Sequence, residues 1–405
     1  MTASSKPALK PLGQTEFVAL AAMLAATVAI SIDAMLPALP EIGAELSPDN
    51  VNRAQLIITS FVFGMGIGTF FTGPLADRFG RKSVIVGGAM IYVLSTLAAF
   101  SAPTLESMIA ARVLMGLGAA APRVASMALV RDLYSGREMA RIISFVMLIF
   151  SLVPALAPSV GALIIDLSGW RSIFIVFAVF SILVTLWLML RQPETLAPEN
   201  RRPLRFAALL DAVQQVFGHP TARLATFVQT LSMGMLFSVL SSTQQVFDKT
   251  YGQGETFHYW FGGIAILAAS ASLINARLVG RLGMRKIIKA MFIAQMGLSA
   301  GMIVVMMLGL PAQLELLFYA FWTASVFFQA GLTLGNLNAL ALEPMGHIAG
   351  SAASIVTATA TVGAVVIAVP IGLSFDGTAR PLAMGIFICA CLALWLTTMI
   401  VRDSD

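Results

Sequence analysis

The chain has 405 residues, of which 58% are apolar and only 11% charged, with a formal net charge of +5. Soluble domains carry about 25% charged residues, so a chain this apolar has too little polar surface to cover its core, and the excess must face lipid. The modest, unevenly placed positive charge argues for membrane topology and against nucleic-acid binding. Cys389 and Cys391 lie two apart in an apolar run, which suits neither a disulfide nor a metal pair.

A spanning helix needs about 20 mostly apolar residues. Such runs are predicted in the first half at Glu16–Leu39, Ala54–Leu75, Ser83–Ser101, Leu105–Val130, Met139–Ile165 and Ser172–Leu190. The second half supplies Leu224–Phe247, Phe257–Val279, Ile287–Leu308, Ala312–Leu340, Ala349–Leu373 and Leu382–Val401. The chain therefore reads as an all-α integral membrane protein of 12 transmembrane helices. Its organisation is a tail at 1–15, a six-helix bundle at 16–190, a polar linker at 191–223, a second six-helix bundle at 224–401 and a tail at 402–405. An amphipathic helix is expected within the linker at Leu204–Phe217.

With the N-terminus placed in the cytoplasm, 19 Lys and Arg residues fall on inner loops and ends, Lys6, Lys10, Arg202, Arg205 and Arg402 among them. Four, Arg53, Arg171, Lys249 and Arg380, fall on outer ones. That bias puts both termini inside. The halves also echo each other: Leu75, Arg78 and Gly80 align with Leu278, Arg281 and Gly283, each displaced by 203 residues. Two parallel repeats place a binding site at their interface, near the bilayer midplane.

Asp33 is the acid deepest in a predicted span. An ionised carboxylate in hydrocarbon is costly, so such a group usually faces the bundle interior and carries function. A carboxyl exposed alternately to two compartments can load and release a proton. Asp33, Pro37 and Pro40 follow i, i+4, i+7, one face of a helix. Reach to outer water is the bland alternative.

The turn between the second and third spans, Gly73–Lys82, carries Asp77, Arg78, Arg81 and Lys82. Its glycines, Gly73 and Gly80, permit a sharp turn. Asp77 can meet the positive N-terminal end of a neighbouring helix, and Arg81 can pair with an acid such as Asp132. Contacts of this kind can latch an inner gate; mere topology-setting charge is the alternative.

Arg112 and Arg123 lie eleven residues apart in the fourth span, on one face and roughly 16 Å apart along the axis. Gly116 and Ala119 share that stripe and admit a close partner helix. Arg112 should reach a depth similar to Asp33, so the two are expected to interact directly or through water. A purely structural pair is the alternative. Arg123 either binds near the inner mouth or packs. In the fifth span, Pro154, Pro158 and Gly161 repeat the i, i+4, i+7 spacing, which suits a helix that bends or packs closely.

In the second half, Tyr319, Trp322 and Gln329 stripe the tenth span, and Ser241 and Gln245 sit on the seventh. They suit a drug-accepting cavity, with Met115 beside Arg112, or equally polar glue between helices. No phosphate-cradling loop, metal cluster or nucleophile with a base is evident, so neither an enzyme nor a cofactor is expected.

The motifs together resemble the major facilitator superfamily, twelve-helix drug:proton antiporter branch, and within it the bicyclomycin- and chloramphenicol-resistance (Bcr/CflA) group. They are Gly73–Lys82, Asp33-Ala-Met-Leu-Pro37-Ala-Leu-Pro40, Arg112-Val-Leu-Met-Gly116-Leu-Gly118 with Arg131-Asp132, and Pro154-Ala-Leu-Ala-Pro158-Ser-Val-Gly161. Met115 departs from the Gln usual in the fourth-helix pattern, and Ala162 from a Gly that often follows Gly161. The resemblance implies the major facilitator fold, two pseudo-symmetric six-helix bundles. It implies efflux of chloramphenicol-, bicyclomycin- or sulfonamide-like compounds across a bacterial inner membrane by alternating access. The proton gradient would supply the energy, Asp33 the coupling carboxylate and Arg112 its modulator. A working monomer is expected, since one chain holds both halves, with a dimer the open alternative. A narrow metabolite exporter or proton symporter is the near alternative, and a non-transporting membrane sensor the distant one.

Overall fold

A computed structural model describes residues 12–400 apart from 202, 204 and 205. Lys6, Lys10, Arg202, Leu204, Arg205, Val401 and Arg402, invoked above, lie outside the described residues. The first half holds α1 (Gln14–Asp33), α2 (Leu39–Leu46), α3 (Leu56–Phe79), α4 (Arg81–Phe100), α5 (Leu105–Leu133), α6 (Gly136–Ser168) and α7 (Ser172–Arg191). The linker holds α8 (Phe206–Gly218). The second half holds α9 (Pro220–Gln245), α10 (Phe257–Leu282), α11 (Met284–Met307), α12 (Ala312–Leu342), α13 (Ala349–Leu373) and α14 (Arg380–Thr398). No strand occurs among the described residues.

Among the described residues, eleven apolar runs are long enough to cross a membrane, and one of them, Ala312–Leu373, spans 62 residues. A 3-10 turn at Glu343–Ile348, where Met345 leaves helical geometry, divides that run into α12 and α13. Twelve crossings result. The expected linker helix is present as α8, whose half-buried Leu209, Val213 and Phe217 pack against the core.

The repeat read from the residues has a backbone counterpart. Gly80 (φ 98°, ψ 153°) ends α3 and opens α4, and Gly283 (φ 79°, ψ 155°) does the same between α10 and α11. Both angles lie where a side chain is strained, so glycine at each turn is a geometric need.

The halves meet where α3 runs along α13 and α6 along α10. Within the first half, α3 and α5 interlock through small residues. A Cβ on Gly64 would strike the Val113 carbonyl, and one on Gly116 would strike that of Phe61. Close backbone approach of this kind replaces the hydrophobic drive that lipid removes. Below, the end of the bundle bearing the α3–α4 turn and the linker is the basic end; the other is the far end.

Candidate functional site

The first span is not one helix. Pro37 has no N–H to offer the Asp33 carbonyl four residues earlier, and its ring crowds that turn. The chain tightens instead: Met35 N–H donates to the Ile32 carbonyl (3.3 Å), a 3-10 turn follows at Leu36–Ala38, and α2 begins at Leu39. The expected single face carrying Asp33, Pro37 and Pro40 is thereby corrected. Asp33 is the last residue of α1 and stands at the break, 5% exposed. No side-chain hydrogen bond or ion pair from a described residue reaches its carboxyl.

The expected pairing of Asp33 with Arg112 is also corrected as to direct contact. Because Met35 N–H has turned to Ile32, the Ser31 carbonyl is left without its helical donor. Arg112 Nη2 donates to that oxygen (3.0 Å), and its Nε donates to the Ile57 carbonyl of α3 (3.0 Å). The guanidinium is fully buried and lies 4.5 Å from the centre of the Phe61 ring. A cation at the carbonyl end of a helix is favourably placed. Ser31 is held further by its hydroxyl, 2.6 Å from Tyr92 Oη. Arg112 therefore fixes the broken end of α1 that presents Asp33, and its Nη1 is buried with no hydrogen-bond partner among the described residues.

A lysine cannot reproduce this fork, since it donates from one point. Arg112→Lys is expected to lower stability by about 1–3 kcal/mol through the carbonyl left unpaired. The readout is the unfolding temperature of the purified protein in detergent, and an unchanged midpoint would contradict the clamp.

Pro154, Pro158 and Gly161 all lie within α6, which runs unbroken from Gly136 to Ser168. Gly161 packs directly on the α1 break: a Cβ there would collide with the Ala34 carbonyl. Nearby, α6 meets the second half, where a Cβ on Gly262 would come 3.1 Å from the Ala155 carbonyl. One helix thus touches both the Asp33 break and the opposite half.

At the basic end, Arg81 joins three elements. Its Nη1 pairs with Asp77 (2.5 Å) and its Nε with Asp132 at the end of α5 (3.1 Å). Thr195 Oγ1 donates to the same Asp132 oxygen (2.8 Å). Glu194, a residue the sequence reading missed, accepts from Arg81 N–H (2.9 Å) and Lys82 N–H (3.0 Å), capping the first turn of α4. Lys82 Nζ in turn donates to the Met189 and Gln192 carbonyls (2.8 Å each). Arg78 is exposed and makes no ion pair among the described residues. The helix end expected to receive Asp77 is not bonded to it. Asp77 instead borders a cavity of about 730 Å³ that it shares with Gly73, Arg81, Asp132 and the first turn of α13 at Gly350 and Ser351.

Glu194→Ala would leave the α4 donors uncapped, at a cost of about 0.5–2 kcal/mol. Glu194→Gln, which keeps one acceptor, should fall between it and the parent in unfolding temperature. Equal midpoints for all three chains would contradict the capping role.

The residues expected around a substrate cavity are dispersed. Met115 is fully buried in the apolar core. Arg123 Nη1 lies 3.9 Å from Met65 Sδ. Trp322 Nε1 donates to Ser299 Oγ (3.0 Å), and Gln329 Nε2 to Ser232 Oγ (3.0 Å) and Thr333 Oγ1 (2.7 Å), so these two tie helices together. Tyr319 is buried in a ring stack with Phe247, Tyr251 and Trp322. Ser241 and Gln245 lie at the closed far end, around a void of only about 20 Å³. Gln245 is the last residue of α9, which passes into a π turn at Val246–Thr250.

The sequence model described as Major Facilitator Superfamily matches residues 19–368. The chain belongs to that superfamily. The facilitator is 31% identical over 375 residues to the bicyclomycin resistance protein homolog of Haemophilus influenzae, covering 90% of each chain. It is 30% identical over 254 residues to a chloramphenicol resistance protein of Pseudomonas aeruginosa, covering 62% of this chain and 58% of that one. The crystal structure of a D-xylose-proton symporter superposes with a TM-score of 0.77, covering 96% of this chain and 98% of that one. At 13% identity that is a likeness of fold alone. The facilitator is a multi-pass membrane transporter rather than an enzyme, and its relatives support its place beside the Bcr/CflA-like drug-efflux group.

Proposed function

We propose that the facilitator is a drug:proton antiporter of a bacterial inner membrane. It exports chloramphenicol-, bicyclomycin- or sulfonamide-like compounds by alternating access, as a monomer, with both termini and the basic end in the cytoplasm. The names of its relatives support the drug class, and the charge bias of its loops supports the orientation.

The observation that carries the reading is Asp33. A carboxyl buried at a break in a spanning helix, with no cation paired to it among the described residues, has no structural partner there to serve, and such groups mark proton and substrate pathways. In the proposed cycle a proton arrives on and leaves an Asp33 oxygen as the halves rock. Arg112 acts as a positioning residue that holds the broken end of α1 by its Ser31 carbonyl. The α6 helix lies between Asp33 and the second half, and so can pass the rocking motion to the carboxyl. Arg81, Asp77 and Asp132 form the first-half part of a cytoplasmic latch, whose partner is the first turn of α13 across the cavity. Tyr319, Trp322 and Gln329 brace the helices that wall the substrate path.

Cells expressing the facilitator should accumulate less labelled chloramphenicol than cells without it, and collapsing the proton gradient should abolish the difference. Equal accumulation across a panel of such drugs would contradict drug export and leave the narrow metabolite carrier as the reading to pursue.

A further inference from the structure

The two halves touch over long helix surfaces, yet their hydrogen bonding is concentrated at one residue. Among the hydrogen bonds that described residues form with one another, those joining the first half to the second both involve Asn52. Its Nδ2 donates to the Phe375 carbonyl after α13 (2.9 Å), and its Oδ1 accepts from Gln245 Nε2 at the end of α9 (2.5 Å). No ion pair crosses between the halves among the described residues.

The surroundings make Asn52 a built contact rather than a chance one. It sits in a 3-10 turn, Val51–Gln55, that opens α3, the helix that runs along α13. Gln55 braces that turn by donating its Nε2 to the Asn52 carbonyl (2.9 Å). The same amide fills the space over Gly372 of α13, where any side chain would collide with it. Gln55 Oε1 is buried there without a hydrogen-bond partner among the described residues. On the second half, the donor Gln245 stands where the α-helix gives way to a π turn, a local distortion that often marks functional sites.

We infer that Asn52 is the latch of the far-end gate: its amide grips two elements of the second half at once and holds the closed state. This rests on the alternating-access reading above. A primary amide suits the task because it donates and accepts together. An opening of the far end breaks both bonds in one movement, and neutral hydrogen bonds cost little enough to be broken in every cycle. Loss of Asn52 should therefore shift the chain toward the far-end-open state.

The test uses accessibility and needs no substrate, so it stands even if the facilitator moves no drug. Ser241, buried behind the latch, is replaced as Ser241→Cys in a chain also carrying Cys389→Ser and Cys391→Ser. A membrane-impermeant maleimide is applied from the far side in proteoliposomes. With Asn52→Ala the labelling rate should rise roughly tenfold, the effect of losing two ordinary hydrogen bonds. Asn52→Asp keeps the acceptor for Gln245 and nearly the same volume but cannot donate to Phe375, so its rate should lie between. A rate in folded Asn52→Ala or Asn52→Asp equal to that of the Asn52 chain would overturn the proposal.

Discussion

Gly161→Val is expected to stop transport and to unsettle the first half of the protein. The Cβ of any side chain at this position would run into the Ala34 carbonyl, which is backbone and cannot rotate away. Either α6 withdraws from α1 or the break at Asp33 is remade. Overpacking a tight contact of this kind typically costs about 1–3 kcal/mol. The functional loss should exceed the thermal one, because the displaced atoms adjoin the Asp33 carboxyl. Gly161→Ala should show the same defect in milder form. Gly301→Ala is the control: it lies in α11, and its added Cβ meets nothing within 4 Å. There the exchange removes a helix-interior glycine and should leave transport unchanged. Normal export by Gly161→Val would contradict the role given to this contact.

Asp33→Asn is expected to remove active export while leaving the fold in place. The two side chains have nearly the same shape, and no described residue hydrogen-bonds or ion-pairs with the carboxyl, so no partner is stranded by the change. The unfolding temperature should stay close to that of the parent, within the roughly 1 kcal/mol typical of such exchanges. An amide cannot take up and release a proton as a carboxyl does, so drug movement against a gradient should fall to background. Thermal stabilisation by added drug should persist, which separates lost coupling from lost binding. A variant that exports normally would contradict the assignment, and one that unfolds would show Asp33 to be structural.

The architecture was legible because lipid imposes a coarse, local rule: long apolar runs, polar turns and a charge bias. The α3–α4 turn and its echo at Gly283 were readable for the same reason, since a tight charged turn between two spans leaves few geometries. Direction was harder to read. Spacing placed Arg112 at the depth of Asp33, but the guanidinium is drawn to the Ser31 carbonyl freed by the Pro37 break. The sequence signal for that was Pro37, which frees a backbone carbonyl, but spacing alone does not say that Arg112 is the group that takes up such an acceptor. Glu194 was missed because capping of α4 by a residue after α7 is a non-local contact; an acid following the sixth span in an arginine-rich linker was its one visible sign. Gln245 suited a cavity and polar glue between helices equally, because its bond to Asn52 is a non-local contact that its own neighbourhood does not announce. Asn52 gave no signal at all, since an asparagine in a polar loop is ordinary until its partners are known.

The central claim is that proton movement is coupled to drug movement through Asp33. The most direct measurement is drug-driven proton release in proteoliposomes with an imposed pH gradient, comparing the parent with Asp33→Asn across chloramphenicol and a small drug panel. The account expects proton release with at least one drug in the parent and none in the variant. Proton release of equal size in both chains would contradict it.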